Sequence, residues 1–123
     1  MAILLVEDDE GICKSLTLYV EFFTNQACYC ASTLEEAKEI IQKTKIDVIF
    51  LDLLLADSNG APLIEWVRER YKVGNPIIVV MTAMVKPEKV LNNYPAPDHL
   101  LLKPFPLEIF DEILFHYVKK KVS

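Results

Sequence analysis

The run IDVIFLD at residues 46–52 is apolar almost throughout and ends on an acid, Asp52. A second apolar run, AILLV at residues 2–6, is followed directly by Glu7 and Asp8. Short apolar runs without alternation are typical of strands that are buried on both faces of a sheet. Because both runs end on carboxylates, we expect these acids to meet at one edge of a parallel sheet.

Clustered carboxylates carry a cost that suggests their function. In a partly desolvated pocket they repel one another and raise each other's pKa unless a cation neutralises them. Mg²⁺ is the expected cation, because this hard ion takes oxygen ligands and keeps several waters. One or two carboxylates and a phosphate oxygen can satisfy it, so the pattern indicates a site for phosphoryl transfer.

Strand and helix patterns alternate five times along the chain. Strands are predicted over residues 2–6, 27–31, 47–51, 77–81 and 99–102. A first helix is predicted over residues 9–23, a second after a cap at Ser32 or Thr33, a third ending near Gly74, a short fourth over residues 88–94 and a last over 107–118. Such alternation implies a parallel sheet with right-handed crossovers, packed as a three-layer α/β/α sandwich.

The first and last helices each carry an apolar stripe at helical spacing. The side chains expected to face inward are Ile12, Leu16, Val20 and Phe23 in the first helix, and Leu107, Phe110, Leu114 and Tyr117 in the last.

Length and charge limit the functions that remain. A chain of 123 residues that is 52% apolar is expected to form one domain over residues 1–123. Its apolar stretches are shorter than the roughly 20 residues of a membrane span, and the acids at residues 7–9 follow no basic segment, so neither a membrane helix nor a signal peptide is expected. A cytoplasmic location follows. The net charge of −5 argues against direct nucleic-acid binding, which depends on Lys and Arg.

The cysteines predict a reducing compartment rather than a disulfide framework, since there are three of them in a chain with a good core. Cys28 and Cys30 lie two apart in a predicted strand, so they share a face and are poorly placed to bridge each other. A metal site would need Cys13, His99 or His116 nearby, and packing is the favoured interpretation.

Several polar residues fall at the predicted strand ends. In open parallel sheets, ligands bind beyond the carboxyl ends of the strands, where the strand order reverses. The residues that map to this edge are Glu7, Asp8, Asp52, Thr82 and Lys103.

These positions resemble the receiver domain of two-component response regulators. The matching strings are LLVEDD at residues 4–9, FLD at 50–52, MTA at 81–83 and KPF at 103–105, and the resemblance covers essentially the whole chain. It implies a doubly wound, flavodoxin/CheY-like sheet of five parallel strands in the order 2-1-3-4-5.

The resemblance also implies a metal site and a nucleophile. Asp52 would attack a phosphoryl group and form an aspartyl phosphate. Asp8 would bind Mg²⁺ directly and Glu7 through water, with Asp52 and the main-chain carbonyl of Leu54 as further ligands. The ordinary alternatives are a loop-capping role for Asp52 and helix N-terminal charge for Glu7 and Asp8.

Two further residues are implied to contact the phosphoryl group. Lys103 would pair with the Asp52 carboxylate and then with phosphoryl oxygens, and the Thr82 hydroxyl would hydrogen-bond a phosphoryl oxygen. A surface lysine and an ordinary strand-end threonine are the alternatives. The family also implies a cis peptide bond between Lys103 and Pro104.

The chain departs from the family pattern at two places. Ala56 stands where a proline is common, although Gly60 is kept. Leu100 stands where the family has Tyr or Phe, a ring that moves inward when the threonine approaches the phosphoryl group. Leucine lacks that ring, so signalling by ring rotation is not expected. Because the fourth helix is short, use of the family's dimerisation face is not expected either.

The predicted function is that of a phosphoacceptor switch. A sensor histidine kinase or phosphotransfer protein would donate a phosphoryl group to Asp52 with Mg²⁺ bound, and the modified face would change its affinity for an unidentified output partner or for a second copy. Acceptance and slow autodephosphorylation would be self-catalysed, without turnover of an external substrate. The alternative is a pseudo-receiver, an interaction module that is never phosphorylated. A haloacid dehalogenase-like phosphatase is disfavoured, because Leu54 stands where such enzymes carry a second aspartate.

Overall fold

A five-stranded parallel sheet forms the centre of the protein. The structure, a computed structural model, describes residues 2–56, 58–71 and 76–121. In this part of the chain the strands are β1 (Ala2–Val6), β2 (Ala27–Ala31), β3 (Val48–Asp52), β4 (Ile77–Thr82) and β5 (His99–Leu102). Their order, β2-β1-β3-β4-β5, and their parallel pairing confirm the predicted doubly wound α/β fold.

Five helices connect the strands: α1 (Glu10–Phe23), α2 (Leu34–Lys43), α3 (Pro62–Arg70), α4 (Glu88–Leu91) and α5 (Leu107–Tyr117). Asp9 caps α1 by accepting a hydrogen bond from the Ile12 amide at 3.0 Å, and Thr33 caps α2 in the same way. Helix α4 ends at Leu91 rather than Tyr94, and the predicted end of α3 near Gly74 lies outside the described residues. No described helix has the length and apolar character needed to cross a membrane.

Two apolar clusters cover the two faces of the sheet. Side chains of α2 and α3, such as Ile41 and Ile64, join the first cluster, and side chains of α1 and α5, such as Val20 and Phe110, join the second. Every residue of β1 and β3 is buried. Burial of apolar side chains on both faces explains why these two strands have no polar alternation.

The single tryptophan belongs to the first of these layers. Trp66 on α3 packs against the first cluster, and its ring lies 5.7 Å from the Lys38 ammonium and 4.8 Å from the Arg70 guanidinium. These distances are within the range of cation–π contacts.

Two of the predicted inward positions are wrong. Ile12 is 39% exposed and Leu107 is 48% exposed. The buried stripe of α1 passes through Cys13 and Val20, seven residues and about two turns apart, which turns Ile12 away from the cluster. Leu107 opens α5, and the buried part of that helix begins only at Phe110.

The expectation that the cysteines form no disulfide is also wrong, because Cys13 of α1 is disulfide-bonded to Cys30 of β2. The two-residue spacing along β2 correctly predicted that Cys28 and Cys30 do not bridge each other. It could not reveal that α1 packs over that face of the strand. Cys28 remains a free thiol. Burial raises the pKa of Cys28 to about 11, against the opposing effect of a hydrogen bond with Thr17.

Aspartates at the amino ends of two strands hold the sheet together. Asp47, before β3, accepts a hydrogen bond from the Ala2 amide at 3.0 Å. Asp98, before β5, accepts one from the Ile78 amide at 2.7 Å and one from Arg68 at 2.9 Å. Burial alone would raise the pKa of Asp98, but these hydrogen bonds outweigh it and lower that pKa.

Candidate functional site

Three of the predicted site residues meet at the carboxyl edge of the sheet. The Lys103 ammonium donates to Glu7 Oε1 at 2.8 Å and to Asp52 Oδ2 at 2.9 Å. These residues follow or end β5, β1 and β3, respectively, so the strand order brings together positions that are up to 96 residues apart. Glu7 and Asp52 are only 3% and 5% exposed. The single positive charge of the lysine is therefore shared by two carboxylates that are largely removed from water.

The loop after β3 fixes the orientation of Asp52. Its second oxygen, Oδ1, accepts a hydrogen bond from the Leu54 amide at 2.9 Å. Gly60 packs directly on the Asp52 main chain, where an added Cβ would lie 2.3 Å from the Asp52 carbonyl oxygen. The Gly60 amide also donates to the Leu53 carbonyl at 2.9 Å. A residue without a side chain is required at this close approach.

The electrostatics of Glu7 and Lys103 reflect their contact. Burial raises the pKa of Glu7 to about 6, while the hydrogen bond from Lys103 lowers it and the proximity of Asp52 raises it further. Burial of Lys103 acts to lower its pKa, but its hydrogen bonds to Glu7 and Asp52 outweigh that effect and raise it. Lys103 is therefore a cation across the neutral pH range.

Thr82 lies at the same edge, at the end of the neighbouring strand β4. It is fully buried, and its hydroxyl oxygen accepts a hydrogen bond from the Met84 amide at 3.1 Å. The hydroxyl hydrogen remains available to an acceptor in the site, because a threonine hydroxyl can donate and accept at once. The Lys103 amide donates to the Thr82 carbonyl at 2.8 Å, which joins β4 to the segment that carries the lysine.

The structure does not gather all the predicted metal ligands. Within the described ranges, no three His, Cys, Asp or Glu side chains converge as a metal site. Asp8 lies next to Glu7 and is partly exposed, outside the hydrogen-bonded set of Lys103. The donor chemistry nevertheless fits Mg²⁺, because two buried carboxylates and Asp8 exceed the single lysine charge and offer oxygen ligands, and Mg²⁺ retains waters.

Two further features bear on the resemblance, and a groove adjoins the site. The peptide bond between Lys103 and Pro104 is cis, as predicted. Leu100 is 42% exposed on the edge strand β5. A groove of about 830 Å³ adjoins the site, and its lining includes Ile12, Met81 and Phe105.

Sequence reasoning missed the contact between Gly60 and Asp52 and the link between Cys13 and Cys30. The retained glycine signalled a special backbone position, but nothing in the sequence identified the backbone that it approaches. The disulfide depends on the packing of α1 against β2, for which the sequence offers no local signal.

Comparisons with known proteins agree with the predicted family and fold. The family described as "Response regulator receiver domain" matches residues 3–114. The transcriptional regulatory protein DcuR of Escherichia coli K12 is 32% identical over 124 aligned residues, which cover 98% of this chain and 52% of that protein. A two-component response regulator from Clostridium difficile superposes with a TM-score of 0.82 at 29% identity, covering 95% of this chain and 94% of the other. TrrA from Thermotoga maritima, solved in complex with Mg²⁺-BeF, superposes with a TM-score of 0.81 at 22% identity, covering 96% of this chain and 100% of the other.

The chain belongs to the response regulator receiver domain family. It is a receiver domain of two-component signal transduction, and it spans about half the length of the curated relatives it matches.

Proposed function

We propose that residues 1–123 form one receiver domain in which Asp52 accepts a phosphoryl group from a sensor histidine kinase or a phosphotransfer protein in the cytoplasm. The observation that carries the proposal is the Lys103 ammonium, which contacts both Asp52 and Glu7. A cation held beside a buried carboxylate is placed to stabilise charge that a phosphoryl group brings to that carboxylate.

Each residue of the site has a separate role in the phosphoryl transfer. An Asp52 carboxylate oxygen forms the new bond to phosphorus as the bond from phosphorus to the donor breaks. Lys103 then contacts a phosphoryl oxygen, and the Thr82 hydroxyl donates to another. The Leu54 amide, at 2.9 Å from Asp52 Oδ1, keeps the carboxylate oriented for in-line attack.

Mg²⁺ is the proposed cofactor. Asp8 and Asp52 would bind it directly, Glu7 through water, and Leu54 through its main-chain carbonyl. When bound, the ion neutralises the negative charge of the carboxylates and of the incoming phosphoryl oxygens. The TrrA complex with Mg²⁺-BeF supports this assignment by analogy of fold.

The proposed output is a change of partner binding rather than turnover of an external substrate. Phosphorylation would alter the affinity of the domain for an output partner or for a second copy, and the aspartyl phosphate would be lost by slow self-catalysed hydrolysis. Direct nucleic-acid binding by this chain is not proposed, because its net charge is −5.

Intact-mass measurement tests the phosphoacceptor assignment. Acetyl phosphate with Mg²⁺ is expected to add the mass of one phosphoryl group to the wild-type chain, and chelation of Mg²⁺ should prevent the addition. Asp52→Asn should gain nothing, while Asp47→Asn serves as the control, because Asp47 lies at the other end of β3. No mass gain in the wild type, or the same gain in Asp52→Asn, would contradict the proposal.

A pseudo-receiver remains a second candidate, and one observation favours it. The described residues form no three-ligand acidic cluster. A Mg²⁺ titration followed by NMR distinguishes the two functions, since a phosphoacceptor should show shifts of the amides around residues 7, 8 and 52 and a pseudo-receiver should show none.

A further inference from the structure

The disulfide between Cys13 and Cys30 closes a ring around the acidic loop that follows β1. The Glu7 amide donates to the carbonyl of Ala31, the residue after Cys30, at 2.9 Å. The Cys13 amide donates to the Asp9 carbonyl at 3.0 Å. Cys13 itself, and Ala31 next to Cys30, are therefore each joined to the segment of residues 7–9 by a backbone hydrogen bond. A covalent link between α1 and β2 holds both ends of this segment together.

We propose that Cys13 and Cys30 form a reversible redox crosslink that orders the acidic loop and strengthens cation binding at the phosphoacceptor site. The cation effect rests on the proposed function, whereas the ordering of the loop does not. Supporting groups that hold ligands in place commonly change metal affinity by about 10-fold or more. The crosslink acts as such a support because it joins α1, which follows the loop, to β2, whose Ala31 carbonyl accepts from the Glu7 amide.

The redox step balances with an ordinary disulfide as the oxidant. A Cys30 thiolate attacks glutathione disulfide and releases one glutathione, forming a mixed disulfide. The Cys13 thiolate then attacks the Cys30 sulfur and releases the second glutathione, so two protein thiols give up two protons and two electrons. A dithiol reduces the crosslink through two exchange steps and is itself oxidised to a disulfide. In the proposed cytoplasmic location, disulfides of this kind are usually transient and redox-sensing.

Exposure and reactivity favour this pairing over one that involves Cys28. Cys30 is partly exposed and Cys13 is 5% exposed, so an external disulfide reaches Cys30 first. The Thr17 hydroxyl lies 3.1 Å from the Cys30 sulfur and acts as a donor to it in the disulfide. Burial raises the pKa of the Cys28 thiol to about 11, which keeps it protonated and a weak nucleophile at neutral pH. Cys28 therefore offers a matched control thiol on the same strand.

The first measurement determines the thiol state. After treatment with glutathione disulfide, alkylation in unfolding buffer and intact mass should show one free thiol, at Cys28, and loss of two hydrogens. After dithiothreitol, all three cysteines should be alkylated in unfolding buffer. Cys28→Ser should still form the crosslink, and Cys13→Ser should not.

The second measurement compares the oxidised and reduced wild-type chains. Reduction should accelerate amide hydrogen exchange over residues 7–13 in metal-free buffer and weaken Mg²⁺ binding, measured by calorimetry, by about 10-fold. Cys28→Ser should retain this redox difference. Cys13→Ser should match the reduced wild type when both are kept in dithiothreitol, without loss of its overall fold by circular dichroism. In glutathione disulfide it should stop at the mixed disulfide of Cys30.

Two results overturn the inference: three alkylatable thiols after glutathione disulfide, or equal exchange over residues 7–13 in the two redox states. Unequal exchange with equal Mg²⁺ affinity refutes control of the cation site. If neither state binds Mg²⁺ or gains a phosphoryl group on Asp52, the proposed function fails, and the exchange rates alone decide whether the crosslink orders the loop.

Discussion

Among single residues, Glu7 combines an ionisable group with nearly complete burial. Its carboxyl holds a proton more tightly in the folded protein, with a pKa of about 6, than its ordinary value of 4.5 implies for the unfolded chain. Folding stability should therefore fall as the pH rises from 4.5 through about 6, because ionisation of Glu7 is less favourable in the folded state. The cost persists at neutral pH unless a bound cation compensates it.

Glu7→Gln should remove the loss of folding stability that ionisation of the buried Glu7 carboxyl causes. In Mg²⁺-free buffer near neutral pH, the free energy of unfolding should rise by about 2 kcal/mol, and its decline with pH should flatten. Urea unfolding at several pH values measures both effects. Glu112→Gln removes an exposed carboxylate of α5 and should change the unfolding free energy by less than about 0.5 kcal/mol. A Glu7→Gln variant that is less stable at neutral pH would show that the Lys103 contact outweighs burial.

Gly60 occupies a position where any side chain would clash with the Asp52 main chain. An alanine Cβ there would lie 2.3 Å from the Asp52 carbonyl oxygen and must displace the backbone. Gly60→Ala should lower the free energy of unfolding by about 2 kcal/mol and shift the Leu54 amide resonance. Gly11→Ala is the control, since its Cβ would meet only the Asp9 side chain at 3.3 Å, in a helix that favours alanine. Equal stability of the two variants would contradict the close approach.

The core of the site could be predicted at this scale because strand ends in a parallel sheet share an edge. Glu7, Asp52 and Lys103 each follow a strand pattern, so their meeting follows from topology. The contact of Gly60 with the Asp52 main chain could not be predicted, because it depends on the path of the loop between them. The same holds for the amide of Leu54, whose side chain carries no information about it.

At the scale of elements, the hydrogen bonds of Asp98 link α3 and β4 to the start of β5. Its carboxylate accepts hydrogen bonds from the Ile78 amide and from Arg68. Asp98→Ala should lower the free energy of unfolding by about 1 kcal/mol, a value discounted because the ion pair is partly exposed. Denaturant unfolding at neutral pH measures the loss.

The dependence of stability on acidic pH tests the contribution of Asp98 in a second way. Because the pKa of Asp98 is lowered in the folded protein, its contribution is present above the ordinary value of 3.8 and is lost as the pH falls through the folded-state pKa. The wild type and Asp98→Ala should therefore converge in stability under acidic conditions. Glu35→Ala, which removes a surface pair with Lys38 at 3.8 Å, should have little effect at any pH.

The elements themselves were largely predictable, since apolar strands and helical stripes alternate clearly. Boundaries moved by a residue where the sheet extends pairing, as in β3, which runs from Val48 to Asp52. The phase of α1 was misjudged because Ile12 and Cys13 are both apolar neighbours, and only packing against β2 selects Cys13. Local sequence patterns do not predict contacts between elements that are distant in the sequence.

For the whole molecule, we predict that a second copy of the phosphorylated domain binds at the edge strand β5. Leu100 and Leu102 are 42% and 52% exposed, on a strand with one unpaired edge. Phosphorylation of the wild type should raise its mass in solution by light scattering, and Asp52→Asn should remain unchanged. Leu102→Lys should accept the phosphoryl group yet stay monomeric. Association of phosphorylated Leu102→Lys like the wild type would exclude this edge as the contact.

Trp66, the single tryptophan, packs against the cluster on the α2 and α3 face of the sheet, whereas Cys13, Cys28 and Cys30 belong to or pack against the cluster on the other face. Its emission therefore samples the environment of α2 and α3, flanked by two cations, and is remote from the disulfide-bearing layer. Trp66 fluorescence during urea unfolding would follow one face of the sheet, and the alkylation rate of Cys28, which is slow while burial raises the thiol pKa, would follow the other. Comparing the two would reveal whether the faces unfold in one cooperative event or in sequence.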